Sequence, residues 1–284
     1  MTGDIRLSKR LTAIADMVGA CSAGGRSPDG GYCLCDVGTD HAHIPIRLLK
    51  DGRISHSIAM DVIEGPLEKA RQNIERYGVS DHVTLRLSDG LDAYVPGEAD
   101  GLVIAGMGGR IMNKILLREP SKTLDFDELI LQPQADPEFV RRALRELGLG
   151  IDREEIVLED NKYYPVIHVV HSPTKRPDWK VCCGQEKLAQ VRTAAAPPDA
   201  PPDAPDMARE KLWQDAEDLF GPYLIRERDA MLRSYLLWTK GVNDRILHSI
   251  GRADAGRSDV SLKKAELLRR SELIRAALAY IDRS

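Results

Sequence analysis

Four short apolar runs in this chain stop at residues that can do chemistry. The run from Tyr32 ends in Asp36-Val37-Gly38-Thr39-Asp40-His41, and the run from Ile58 ends in Asp61-Val62. The run from Val83 leads into Ser88-Asp89-Gly90, and that from Leu102 ends in Ala105-Gly106-Met107-Gly108-Gly109. A carboxylate in such a turn accepts hydrogen bonds from hydroxyl and amino groups and attracts cations. A glycine there lets the backbone approach a bound molecule with no side chain between. Every one of the four ends therefore carries an acid, glycines, or both.

The spacing of the acids narrows the ligand. Asp61 follows Asp36 by 25 positions, about one strand-helix-strand unit, and an acid at the second strand end commonly binds ribose hydroxyls. The first turn has Gly38 alone, with no GxGxxG run and no GxxxxGK followed by Ser or Thr, so nothing is built to cradle a pyrophosphate or triphosphate. Clustered carboxylates repel phosphate and suit a sulfonium and an ammonium. S-adenosyl-L-methionine fits this description as cofactor. Asp61, with Val62 beside it, would hold the ribose; Asp89 and Gly90 would lie near the adenine amine; Asp36, Gly38, Asp40 and His41 would surround the amino acid end. Ala105 would close the pocket from the fourth strand.

These turns need a scaffold. Strand-like runs end near Asp36, Asp61, Leu87 and Ala105, and three more cover Leu129 to Gln132, Glu155 to Leu158 and Val166 to Val170. Helical periodicity is read over Ile44 to Lys50, Pro66 to Tyr77, Arg110 to Leu117 and Pro137 to Leu147, while the link from Leu87 to Gly101 is short. Strands alternating with helices imply a doubly wound parallel sheet. The last two strands are separated only by a short turn around Asp160-Asn161, which predicts an antiparallel hairpin.

Several segments in fixed order resemble one bacterial family: LSKRL (7–11), DVGTDHAHIP (36–45), SDGL (88–91), AGMGG (105–109), LILQP (129–133) and LEDNKYYPVI (158–167). They are similar to the tRNA (adenine(22)-N(1))-methyltransferases, often called TrmK. The resemblance runs to about Val170 and resumes near Phe220-Gly221-Pro222; the proline-rich insert between is not a family feature. It implies an α/β class I methyltransferase fold, Rossmann-like, with seven strands, the last ones antiparallel. It also implies S-adenosyl-L-methionine as methyl donor and tRNA as partner. Gly106, Met107 and Gly108 then fall where the acceptor base would lie, and Arg10, in LSKRL, would cover the cofactor carboxylate or grip a phosphate. Gln132 would bond the base edge, and Lys162 would meet phosphate.

The rest of the chain is read more coarsely. Residues 1–172 are expected to form the methyltransferase domain, 173–207 a linker with a Pro/Ala-rich insert, and 208–284 a coiled-coil-like helical hairpin. In the last part apolar residues recur at helical spacing from Leu212 to Ile250 and again from Leu262 to Ala277. Net charge is −4 overall, yet residues 206–284 carry +2 and the remainder −6, with Lys263, Lys264, Arg269, Arg270 and Arg275 clustered in the last helix. Such a charge run by itself reads as a solvated face on a packing arm, and it is the family resemblance that implies RNA contact here.

The 43% hydrophobic content suffices for a core, and no apolar run has the length of a membrane span, so a cytoplasmic protein without membrane contact is expected. The five cysteines are read as reduced thiols, with Cys33 and Cys35 packed inside a strand. The sequence leaves the oligomeric state open, with a monomer as working expectation. A rival reading stays open too: Asp40-His41-Ala42-His43 resembles the start of a zinc site, so the turn would serve a metal-dependent hydrolase, or a protein that binds the cofactor without catalysis. On the main reading no metal is expected.

Overall fold

A computed structural model describes residues 5–19, 25–171, 206–250 and 258–283. The chain divides into two compact units, residues 1–192 and 193–284.

The first unit is a seven-stranded sheet. Its strands are β1 (Cys33–Val37), β2 (His56–Asp61), β3 (Val83–Leu87), β4 (Gly101–Met107), β5 (Glu128–Pro133), β6 (Ile151–Glu159) and β7 (Lys162–Val170), in spatial order β3-β2-β1-β4-β5-β7-β6. Strands β1 to β5 run parallel, and β7 runs antiparallel to both its neighbours, β5 and β6. The helices are α1 (Lys9–Met17), α2 (His43–Lys50), α3 (Glu64–Tyr77), α4 (Gly109–Arg118), the single turn α5 (Pro120–Thr123) and α6 (Pro137–Glu146). All seven expected strands and the four expected helices of this unit are present, and α1 and the single turn α5 are added.

Local chemistry sets the boundaries. The Ser8 hydroxyl caps α1 by accepting from the Leu11 N–H, and α3 stops at Gly78, which adopts φ +68°. The β6–β7 hairpin turns on Asp160 and Asn161, both at positive φ, with Glu159 opposite Lys162. Two consecutive left-handed residues twist a hairpin in the sense its strands require, and Asp and Asn tolerate that conformation best after glycine.

Alternation along β1 and β4 divides the core. Cys33, Cys35, Val37, Leu102 and Ile104 pack with Met112, Ile115 and Leu116 of α4 and Val140 and Leu144 of α6. Leu34 and Val103 pack on the other side, with Ile14 of α1 and Ile44 and Leu48 of α2. Cys33 and Cys35 are free and buried; burial pushes the Cys33 thiol up to about 12, so it stays protonated. Cys21, Cys182, Cys183 and the proline-rich stretch lie outside the described residues.

At the amino end of β5 a buried ionic network ties the sheet together. Glu128 accepts from the Tyr32 hydroxyl at 2.6 Å and the Gly19 N–H at 2.8 Å, and His168 of β7 lies 2.6 Å from Glu128 and 2.8 Å from Asp152. Hydrogen bonds and charge from Asp152 and Glu128 overcome desolvation and hold the His168 imidazole at about 10, charged at neutral pH.

The second unit contains α7 (Asp206–Phe220), α8 (Pro222–Arg226), α9 (Ala230–Ile250) and α10 (Ser258–Ile281). Helices α9 and α10 form the expected antiparallel pair: Arg233 bonds Asp282 at 2.7 Å, and Asn243 reaches Ser271 at 3.4 Å. The apolar spacing from Leu212 to Ile250 is not one helix, however. It breaks at Gly221 (φ +101°) followed by Pro222, and again at Arg228 (φ +52°), after which Asp229 caps α9 by accepting from the Leu232 N–H. Helix α7 also packs on α10, through Asp215 with Arg269 and Trp213 against Tyr280. Of the five clustered cations, Lys263 and Arg269 are ion-paired and Arg270 meets the Tyr235 hydroxyl. Lys264 and Arg275 are exposed and have no ion pair among the described residues.

Candidate active site

In a doubly wound sheet the crevice opens where successive connections leave on opposite faces, outside the carboxyl ends of the strands. Here that point lies between the adjacent strands β1 and β4. Asp36 to His41 and Ala105 to Gly109 therefore lie side by side.

The β1 end is tightly folded. The Gly38 and Thr39 N–H groups both donate to the Met60 carbonyl at 2.9 Å, and Gly38 has φ +73°. Asp36 is buried and accepts from the Thr39 hydroxyl at 2.6 Å. Burial raises its carboxyl to about 7, with the Thr39 bond opposing and the Asp61 charge adding to the rise. Asp61 accepts the Asp40 N–H on one oxygen at 3.2 Å and the Ile63 N–H on the other at 3.1 Å. A carboxylate has about four lone-pair sites, so two remain for a ligand. Near it in the chain and on the neighbouring strand end, Val62, Ile63 and Leu87 are 59%, 60% and 54% exposed, apolar surface beside an acid.

Asp40 (φ +51°) and Ala42 (φ +56°) carry the chain through the turn into α2. His41 lies 3.3 Å from Asp40, and its carbonyl accepts from Asn73 of α3 at 3.0 Å. The rings of His41 and His43 are 5.4 Å apart. Among the described residues no group of three or more His, Cys, Asp or Glu side chains is placed to hold a metal ion. Asp89 is engaged: its carboxylate pairs with Arg118 at 2.9 Å, and Arg118 also binds Asp92 at 2.8 Å. Any bond from Asp89 to a ligand amine shares the carboxylate with that guanidinium. Gly90 (φ +63°) faces Ile115, which a Cβ there would meet at 2.9 Å.

The β4 turn reaches across to the first. A Cβ on Gly38 would lie 2.7 Å from the Met107 methyl, so the thioether covers the glycine. The register with β5 shifts between Ala105 and Met107, and Gly106, at φ +79°, occupies that irregularity. Gly108 caps α4, and the Gly109 N–H donates to the Ala135 carbonyl at 2.7 Å.

Arg10, Gln132 and Gly106, far apart in sequence, meet here. Arg10 Nη1 donates to Gln132 Oε1 at 2.7 Å, its Nε lies 3.8 Å from Glu159, and its guanidinium is 5.3 Å from the centre of the Tyr164 ring. Gln132 is fully buried. From a Cβ on Gly106, Arg10 Nη1 would be 3.6 Å away and Gln134 Nε2 3.7 Å. Sequence reasoning missed Thr39, Glu159, Tyr164 and Gln134. Thr39, Glu159 and Tyr164 stand inside segments already singled out; Gln134 gave no signal, because only the fold brings it to Gly106.

A family model for the methyltransferase domain matches residues 7–167, and the chain belongs to that family. It is similar to the tRNA (adenine(22)-N(1))-methyltransferase of Bacillus subtilis (strain 168), 33% identical over 164 residues; the match spans 58% of this chain and 65% of that protein. Among solved structures it is similar to the B. subtilis M1A22 tRNA methyltransferase TrmK, with 26% identity and TM-score 0.70 over 96% of this chain and 99% of that one. It is likewise similar to Streptococcus pneumoniae Sp1610 solved in complex with S-adenosyl-L-methionine, with 25% identity and TM-score 0.68 over 96% of this chain and 100% of that one.

Proposed function

We propose that this protein transfers a methyl group from S-adenosyl-L-methionine to N1 of adenine 22 in tRNA. The observation that carries the reading is the junction at Met107, where the acidic first turn and the glycine turn of β4 share one crevice. The likeness to TrmK from B. subtilis supplies the substrate.

The residues present fit the cofactor. Asp61 has acceptor capacity for a ribose diol, Val62, Ile63 and Leu87 offer apolar surface for a flat base, and Asp36 favours a cation beside it, since its own carboxyl is raised by burial and by Asp61. When bound, the cofactor supplies a methyl carbon activated by a positive sulfur. Adenine N1 carries a free lone pair when the base is unpaired, so no group has to remove a proton before attack. The chain's contribution is alignment and electrostatics. Gly106 allows a flat ring to lie close, and Met107 gives it an apolar surface. Arg10 is neutralised by Glu159 and anchored by Gln132, so it does not oppose the positive charge that forms on the base.

In this reading residues 1–172 form the catalytic domain, 173–207 the linker and 208–284 the arm, with Lys264 and Arg275 as phosphate contacts in a cytoplasmic enzyme. Incubation with labelled cofactor and unmodified tRNA, then digestion to nucleosides, tests it. Label should appear as 1-methyladenosine; label in another nucleoside, or none with intact cofactor binding, refutes it.

A further inference from the structure

Gln134 follows β5 and makes a contact that the reading above leaves unused. Its N–H donates to the Met107 carbonyl at 3.0 Å, so its backbone is fixed to the glycine turn. Its side chain is exposed, and its carboxamide has no hydrogen bond among the described residues. The amide nitrogen nonetheless lies close over Gly106: a Cβ there would be 3.7 Å from it and 3.6 Å from Arg10 Nη1.

The two flanking groups are not equivalent readers. Arg reads guanine by bonding O6 and N7 together, which needs two free N–H groups in one plane. Arg10 has Nη1 bonded to Gln132 and its Nε 3.8 Å from Glu159, so two of its three nitrogens already face protein groups. Gln134 is unoccupied, and a carboxamide pairs one donor with one acceptor in a plane. That pattern matches adenine along the edge bearing N7, an acceptor, and N6, a donor. Guanine presents two acceptors on the same edge and matches only half of it.

We infer that Gln134 selects adenine by bonding N7 and N6 of the flipped base over Gly106, which leaves N1 on the opposite edge free to receive the methyl group. The inference rests on the proposed methyl transfer to adenine and identifies the residue that recognises the base. It also explains why recognition does not block the reaction: bonds to the Watson–Crick edge would cover N1, and bonds to the N7 edge do not.

The test uses the full chain with two tRNAs, one natural and one carrying 7-deazaadenosine at the target position, which has C–H in place of the N7 acceptor. The wild-type protein should lose about tenfold in kcat/KM on the 7-deaza tRNA, the worth of one hydrogen bond. Gln134→Ala and Gln134→Glu, neither of which offers an N–H, should be slower than wild type on natural tRNA by about tenfold or more and show no further loss on the 7-deaza tRNA. Comparing the ratios cancels any change in the basicity of N1 itself. Unchanged S-adenosylhomocysteine affinity establishes that each variant is folded. Full wild-type activity on the 7-deaza tRNA, or an equal loss in wild type and variants, overturns the inference while methyl transfer itself stands. If the wild-type protein methylates neither tRNA, the functional reading fails and this inference with it.

Discussion

Replacing Asp61 by Ala removes the acid that closes the first turn and, on the proposed reading, holds the ribose. A hydrogen bond to a charged acceptor contributes about 1.5 to 3 kcal/mol, and each factor of ten in affinity is about 1.4 kcal/mol. Loss of even one ribose bond should therefore weaken S-adenosylhomocysteine binding at least about tenfold. The structure adds a complication, because Asp61 also accepts from the Asp40 and Ile63 N–H groups. Ala releases both, so a loosened turn alone would weaken binding. A ligand lacking the ribose 2′-hydroxyl separates the two effects. In calorimetry the wild-type protein should bind the 2′-deoxy analogue more weakly than the parent, whereas Asp61→Ala should bind both alike. If the deoxy analogue costs the same in both proteins, the carboxylate does not contact that hydroxyl and only shapes the turn. An unchanged dissociation constant for the parent ligand would refute both roles.

Three further outcomes follow from the same geometry. Asp36 sits at about 7, so a cationic ligand should release its proton on binding, and S-adenosylmethionine affinity should rise from pH 6 to pH 8; Asn in its place should flatten the profile, and a flat wild-type profile in calorimetry would remove Asp36 from the site. His168 is raised from 6.5 to about 10, so its contribution to stability is complete below pH 6.5 and is lost as pH rises through 10, by up to about 1.4 kcal/mol per unit. Urea midpoints from circular dichroism should fall across that window, and a midpoint constant from pH 7 to 9.5 would contradict the charged imidazole. Gly106→Val should leave cofactor binding intact and cut methyl transfer by about a hundredfold, through displacement of the base by its branched side chain; Gly106→Ala, whose Cβ meets nothing closer than 3.6 Å, separates strain at φ +79° from steric exclusion. Full activity in a folded Val variant would place the acceptor base elsewhere.

The sheet was legible because its signals are local. Each strand is a short apolar run, each helix has its own period, and the few residues around Asp160-Asn161 leave no room for a helix between β6 and β7, so the two pair as a hairpin. The carboxyl-terminal unit shows where periodicity misleads. Apolar spacing continues from Leu212 through Leu224 to Leu236, all buried, yet Gly221 and Pro222 interrupt the hydrogen bonds without interrupting the pattern. A hydrophobic repeat reports which side faces a core, and separate helices folded against one neighbour keep the same repeat.

The site divides along the same line. Asp36, Gly38, Asp40 and Asp61 could be named from sequence because a strand end fixes what stands beside the crevice. The surroundings of Gly106 could be named only in part: Arg10 and Gln132 are read from sequence, whereas Gln134, Glu159 and Tyr164 reach them only through the end of β5 and the β6–β7 hairpin. Their arrangement has a common electrostatic sense. On the proposed reading the cofactor end gathers carboxylates, one of them, Asp36, raised by burial and by the Asp61 charge, and so favours a cation. At the acceptor end the only guanidinium near Gly106 among the described residues is paired with Glu159 and fixed by Gln132. A nucleophile that begins neutral and becomes positive gains little from a free guanidinium, and the pairing leaves that end near neutral while retaining a rigid wall. An acceptor that began as an anion would call for the opposite design, with Arg10 unpaired and aimed at the crevice.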